Sequence, residues 1–321
     1  MGPLLCLASL SAHAQDAAPA VQPVVVQPES TPAQPPVAQP VDVNQAPGTG
    51  PDTNAAPVGL VVLNPAETDF SRALALFNAG QFADAITAFS SFIGNFPLDR
   101  HREEALYRLA ESYRSLGRNR DALAAYAYQV KNYPDGPLKI NAQLRRGALL
   151  FDAGQFNEAM APLREVAAGG NPELQEAAHY LLGRALLATK NEAEARPLLQ
   201  ALVDAKSKYG GDSAQALAQV DDEAGNHAEA LTLWQAALDL TKDPAVKATI
   251  AARGGWSALD VNQPGPAEKL FQAARQLDPS GAARKVANTG LLRVFFQQKR
   301  YADWVALYNA EQDRLLDTGR A

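Results

Sequence analysis

The stretch LGRNRDALAAYAYQVKNYP, residues 116–134, sets Gly117 five residues before Ala122, Tyr126 four residues after that, and Pro134 at its end. The same order stands 37 residues earlier as Gly80, Ala85, Phe89 and Pro97, and 37 residues later as Gly154, Ala159 and Leu163, with Pro172 one residue late. Self-similarity at a period of roughly 20–50 residues marks a stacked repeat architecture. Following the small residue along the chain gives Ala85, Ala122, Ala159, Ala195, Ala230, Ala267 and Trp304, spaced by 37, 37, 36, 35, 37 and 37 residues, which accommodates seven units.

Each unit reads as two helices. Leu106, Leu109, Ala110 and Tyr113 stand at i, i+3, i+4 and i+7 and form one apolar stripe; Gly117 follows as a stop able to turn left-handed. Asp121 sits in the first turn of the next helix, where its charge suits the free N–H groups, and Pro134 closes that helix because proline cannot continue it. Ala122 allows the two helices to approach closely, and Tyr126 fills the groove between one unit and the next. A hairpin of this size cannot bury its own apolar face, whereas a stack of them can. The sequence thus predicts an all-α fold, a right-handed α-solenoid of about seven helix-turn-helix repeats near 66–99, 103–136, 140–173, 176–209, 211–244, 248–281 and 285–318, with an extended concave surface.

A segment of different character precedes this array. Half of the 22 prolines fall in residues 15–65, with Gln, Ala and Val between them and no aromatic residue, so this segment cannot bury a core and reads as a disordered linker. As a flexible coil it would span roughly 40 Å. Before it, the apolar start of MGPLLCLASLSAHAQ runs into Ala12, His13 and Ala14, which fits an A-x-A cleavage site and makes residues 1–14 a signal peptide. A signal opens with positive charge, yet the first Lys or Arg is Arg72, so we expect the true start to lie upstream of Met1. Cys6, the only cysteine, follows Leu4 and Leu5 and not the small residue that lipidation requires.

Charge narrows the function classes. The chain carries 35 acidic and 29 basic residues; setting aside Asp16, Glu29, Asp42 and Asp52 leaves 31 acidic for the remainder, nearly neutral and without the basic excess that nucleic-acid binding needs. No apolar run is long enough for a mature transmembrane segment. His13, His101, His179 and His227 are scattered and form no metal-ligand pair, so no metal site or cofactor is expected. Asp221, Asp222 and Glu223 lack the alternate spacing of a calcium loop and read as a solvated helix end. The glycine pairs 169–170, 210–211 and 254–255 lack a phosphate-binding motif and read as turns or close packing. No G-x-S-x-G serine motif occurs, and no enzyme is expected.

The Gly, aromatic, Ala, aromatic and Pro offsets resemble the tetratricopeptide repeat, most specifically across residues 96–159. The period of 37, with Phe-Pro or Tyr-Pro closing the early units, resembles the bacterial envelope subclass that includes the outer-membrane assembly factor D lipoproteins and the cell-division coordinator of the Tol-Pal system. That resemblance implies a non-enzymatic adaptor in the periplasm of a Gram-negative bacterium, peripheral to the outer membrane. It also implies that the first helix of each unit lines a groove for a protein or peptide segment. By position those lining residues are Phe70, Leu74, Phe77, Asn78, Glu104, Tyr107, Arg108, Glu111, Arg114, Asn141, Arg145, Phe151, Asp152, Tyr180 and Arg184.

Tyr107, Arg108 and Arg114 read as lying between the apolar stripe and solvent, with Arg145 and Arg184 repeating one cationic position in later units. Arginine beside aromatics is a usual composition for a binding hot spot. The opposing reading makes these residues ordinary solvated charges and partly exposed rings. A glycan-binding or regulatory subunit of a peptidoglycan- or carbohydrate-processing complex is the alternative function. It calls for an aromatic-rich, cation-poor groove, whereas the alternating Arg and Glu of residues 102–114 suit a charged polypeptide. Trp234, Trp256 and Trp304 read as packing residues. Trp304, Leu307, Tyr308 and Leu315 are expected to leave an apolar edge at the carboxyl end, a second surface for association.

Overall fold

The computed structural model describes residues 64–279 and 281–314. The expected signal peptide, nearly all of the linker and Leu315 lie outside the described residues. The described residues form fourteen α-helices and no strand. The chain divides after Leu116 into two compact units. The first contains α1 (Pro65–Asn78), α2 (Phe82–Asn95) and α3 (Arg102–Ser115). The second contains α4 (Asn119–Asn132), α5 (Lys139–Asp152), α6 (Phe156–Gly169), α7 (Pro172–Ala188), α8 (Glu192–Asp204), α9 (Gly210–Ala224) and α10 (His227–Leu240). It continues through α11 (Pro244–Asp260), α12 (Pro264–Leu277), α13 (Ala282–Gln297) and α14 (Tyr301–Glu311), closed by a short 3-10 turn at Gln312–Arg314.

The helices follow in seven pairs, and the turn inside each pair repeats one backbone device. Gly80, Gly117, Gly154, Lys190, Gly225, Asn262 and Lys299 all adopt φ between 58° and 82°. Their spacing is 37, 37, 36, 35, 37 and 37 residues, matching the spacing of the small-residue marker. Four turns use glycine, which has no β-carbon to oppose the left-handed region; three place a side chain there.

Seven residues before each turn comes a small side chain on the first helix: Ala73, Ala110, Gly147, Gly183, Ala218 and Gly255 in the first six pairs. In the α5–α6, α7–α8 and α11–α12 pairs it faces the large residue four positions after the marker on the second helix. A β-carbon built on Gly147 would stand 2.6 Å from Leu163, and one on Gly183 would stand 2.6 Å from Leu199. This large residue therefore packs first against its own pair. Phe271 also meets the next pair, lying between Gly255 of α11 and Gly290 of α13.

In the first unit Phe70, Phe89 and Phe92 form a fully apolar cluster with Ala73 and Ala85. The second unit holds two clusters, one running from Leu144 to Ile250 and one around Phe271, Leu291 and Phe295. Pro162 and Pro197 sit inside α6 and α8, past the first turn, so each leaves one hydrogen bond of the helical ladder unmade. The glycine pairs resolve by position: 169–170 ends α6, 210–211 opens α9, and 254–255 is mid-helix packing against Trp234 and Phe271.

The three consecutive carboxylates are not a solvated helix end as expected. Asp221 is only 2% exposed and takes both guanidinium nitrogens of Arg196 from α8, at 2.6 and 3.1 Å. Asp222 accepts from the Trp234 indole at 2.7 Å and from the Ser257 hydroxyl at 2.8 Å, tying α9 to α10 and α11. Only Glu223 is exposed. At the last pair, Leu307 is buried while Trp304 and Tyr308 are half-buried and stacked 5.2 Å apart, so these three largely pack against the core they were expected to leave open. The exposed apolar residues there are Phe296, Tyr301 and Val305.

Candidate functional site

The first helices from α3 onward bury about half of their residues, and arginines and aromatic edges are among those that reach solvent. In the first unit the predicted residues separate into core and surface. Phe70 is 5% exposed, stacked on His101 at 4.6 Å and packed on Phe92. It is a core ring, and packing accounts for it. Leu74 joins the same core, while Asn78 is exposed. Phe77 is half-buried, with the Arg108 guanidinium 5.3 Å above its ring. Arg108 also donates to Glu104 at 3.2 Å, and Arg114 donates to Glu111 at 2.9 Å. These are one-turn pairs along a single helix, worth a few tenths of a kcal/mol each where exposed. Glu111 is buried, and Tyr107 is 6% exposed, so Tyr107 does not lie toward solvent as its sequence position suggested.

In the second unit, α5 and α7 bring Phe151, Tyr180 and Arg184 together. The Arg184 guanidinium stands 6.0 Å from the Phe151 ring centre and 5.6 Å from that of Tyr180, and it donates to the Tyr180 hydroxyl at 2.8 Å. Tyr180 in turn stacks on Tyr209 at 5.0 Å and 14°. Burial pushes the Tyr209 phenol up to about 12, and burial also raises Tyr180, with the Arg184 charge opposing. Lys208 covers the Tyr209 ring at 5.3 Å. Asn141 is half-buried at the start of α5, and Asp152 is exposed at its end.

Arg145 and Arg184 do not repeat one position. Counted back from the left-handed turn, Arg145 stands nine residues before Gly154, the register of Arg108, while Arg184 stands six before Lys190, the register of Glu111. Arg145 is 6% exposed, whereas Arg184 keeps part of its surface. Extending the same registers to later units finds residues that the prediction missed. Arg253 has the Arg108 register and lies 5.8 Å over Trp234; Arg293 has the Arg184 register and lies 5.6 Å over Trp256. Both arginines are exposed, Trp234 is buried and Trp256 half-buried.

Ser257 donates to Asp222, and His227 stands 3.1 Å from the same carboxylate. Among the described residues no three His, Cys, Asp or Glu side chains stand together as metal ligands. No described helix is long and apolar enough to cross a membrane.

A stack of helical hairpins with left-handed turns and small-on-large packing defines the class of helical-repeat proteins. More particularly, the tetratricopeptide repeat family matches residues 70–137, 107–173 and 144–209. Residues 70–209, the part of the chain so matched, carry the tetratricopeptide pattern. No curated protein is matched. Among solved structures, the C-terminal part of a TPR repeat-containing protein from Cytophaga hutchinsonii is 16% identical, with a TM-score of 0.59 over 75% of this chain and 93% of that one. A tetratricopeptide repeat protein from Parabacteroides merdae is 13% identical, with a TM-score of 0.51 over 78% and 94%. The pilF protein of Pseudomonas aeruginosa is 14% identical, with a TM-score of 0.50 over 68% and 94%. At these identities the likeness is one of fold.

Proposed function

We propose that the protein is a non-enzymatic scaffold of the bacterial cell envelope that holds a segment of another protein against its first helices. Tetratricopeptide repeats serve protein–protein interaction, and the observation that carries the reading here is the Phe151–Arg184–Tyr180 group. It presents a planar cation on two rings, one of them half-exposed, at a place where core packing does not require a charge. The periplasm as its location is supported by the sequence of the first 14 residues and by the proline-rich tether after them. The period of 37 supports a place beside the outer-membrane assembly and Tol-Pal-associated adaptors. Arginines laid on the rings favour a polypeptide over a glycan, which binds best to aromatic faces left uncovered.

The test is site-specific photo-crosslinking in the native envelope, with the crosslinker at Phe151 and at Phe77 and a control at the exposed Lys131. A discrete protein adduct from the first-helix positions and not from Lys131 is expected. Adducts to glycan alone, or none above the control, would overturn the scaffold reading.

A further inference from the structure

Within the second unit, arginines that hold helices together are neutralised by carboxylates. Arg196 is paired to Asp221 and Glu192, Arg300 to Glu268 and Asp303, and Arg275 and Arg284 both to Glu311. Three arginines that lie over aromatic rings depart from this rule. Arg184, Arg253 and Arg293 have no carboxylate within 4.0 Å among the described residues. Each lies instead over an aromatic ring, that of Tyr180, Trp234 or Trp256, at 5.6 to 5.8 Å. All three belong to first helices, α7, α11 and α13, in registers one helical turn apart.

An aromatic face orients a guanidinium and leaves N–H groups for a carboxylate, although Arg184 already gives one to the Tyr180 hydroxyl. From this we infer that Arg184, Arg253 and Arg293 form a lane for an acidic, extended polypeptide segment, with apolar side chains between its carboxylates resting on the rings. This rests on the reading that the first helices hold a protein segment. The three arginines are spread over α7, α11 and α13, so a segment that reaches all of them must be extended. Arg184 and Arg293 share one register and Arg253 the other, so the lane selects for carboxylates spread along the segment and not for one terminal carboxylate.

The experiment uses the full chain and a fluorescein-labelled peptide of repeated Glu-Glu-Leu, with Gln-Gln-Leu and Lys-Lys-Leu counterparts, read by fluorescence anisotropy at low and moderate salt. The acidic peptide is expected to bind and to weaken with salt. Substituting Arg184→Gln, Arg253→Gln and Arg293→Gln together should weaken it by at least about tenfold, with an unchanged circular dichroism melt showing that the fold is kept. Arg184→Lys, which keeps the charge and loses the fork, should recover only part of the binding. Equal binding of the acidic and neutral peptides, no binding of the acidic one, or a triple variant that binds as well as the parent would each overturn the lane. Crosslinking from Phe151 that persists in the triple variant would do the same while leaving the scaffold reading intact; loss of every adduct in the parent protein is what sinks that reading.

Discussion

Phe271 and Gly255 meet so closely that a β-carbon on the glycine would stand 2.5 Å from the phenyl Cε1. On the other side of the same ring, a β-carbon on Gly290 would stand 2.2 Å from Cζ. Phe271 has no exposed surface, so the ring cannot swing aside. Gly255→Ala and Gly290→Ala are therefore expected to destabilise the second unit by about 1–3 kcal/mol, because overpacking a closed site outweighs the gain of about 0.5–1 kcal/mol that alanine brings to a helix. Gly94→Ala, in α2 with nothing within 4 Å of the added carbon, should carry the opposite sign. Urea midpoints followed by circular dichroism decide it, and a neutral Gly255→Ala would mean that the α11–α12–α13 contact is looser than its geometry.

The seven left-handed turns give a second series. A side chain in that region costs about 1–2 kcal/mol relative to the ordinary helical region, and asparagine tolerates it better than lysine does. Lys190→Gly and Lys299→Gly should each stabilise by about 0.5–1 kcal/mol once the entropy of glycine is subtracted, and Asn262→Gly by less. Gly154→Ala, whose added carbon meets nothing within 4 Å, should lose about 1 kcal/mol through the backbone alone. The same urea series measures all four. A ranking in which Asn262→Gly gains most would contradict the account of these turns.

These two series also show what the sequence could and could not display. The repeat was legible because the left-handed turn and the small marker residue keep one spacing, even where Lys190, Asn262 and Lys299 hide the glycine. The engagement of Asp221 and Asp222 was not legible, because their partners Arg196 and Ser257 lie 25 and 35 residues away and no local pattern links them. Tyr107 and Tyr180 share one register, and both are buried, so a single aromatic at that place says packing where the sequence suggested contact with a partner. Arg253 and Arg293 escaped because the prediction followed the resemblance only as far as its specific motifs; counting back from the turns reaches them directly.

Glu311 gives a prediction in pH. Its carboxylate, 7% exposed on α14, receives Arg284, Arg275 at 3.3 Å and Asn288 at 3.1 Å. Hydrogen bonding from Arg284 is the main cause that holds it below the ordinary glutamate value of 4.5. α14 packs Leu307, Trp304 and Tyr308 on the core, and this carboxylate adds its ionic attachment to α12 and α13. Because the folded value is depressed, the stabilisation is fully present above pH 4.5 and is lost as pH falls through the lower, folded value. Acid titration should therefore release α14 below pH 4.5, before the rest of the second unit melts, and hydrogen exchange along Tyr301–Glu311 should report it. In Glu311→Gln the neutral side chain cannot compensate the two arginines at any pH, so α14 should exchange fast already at neutral pH and show no acid step. An acid step retained in Glu311→Gln would assign the release to another carboxylate.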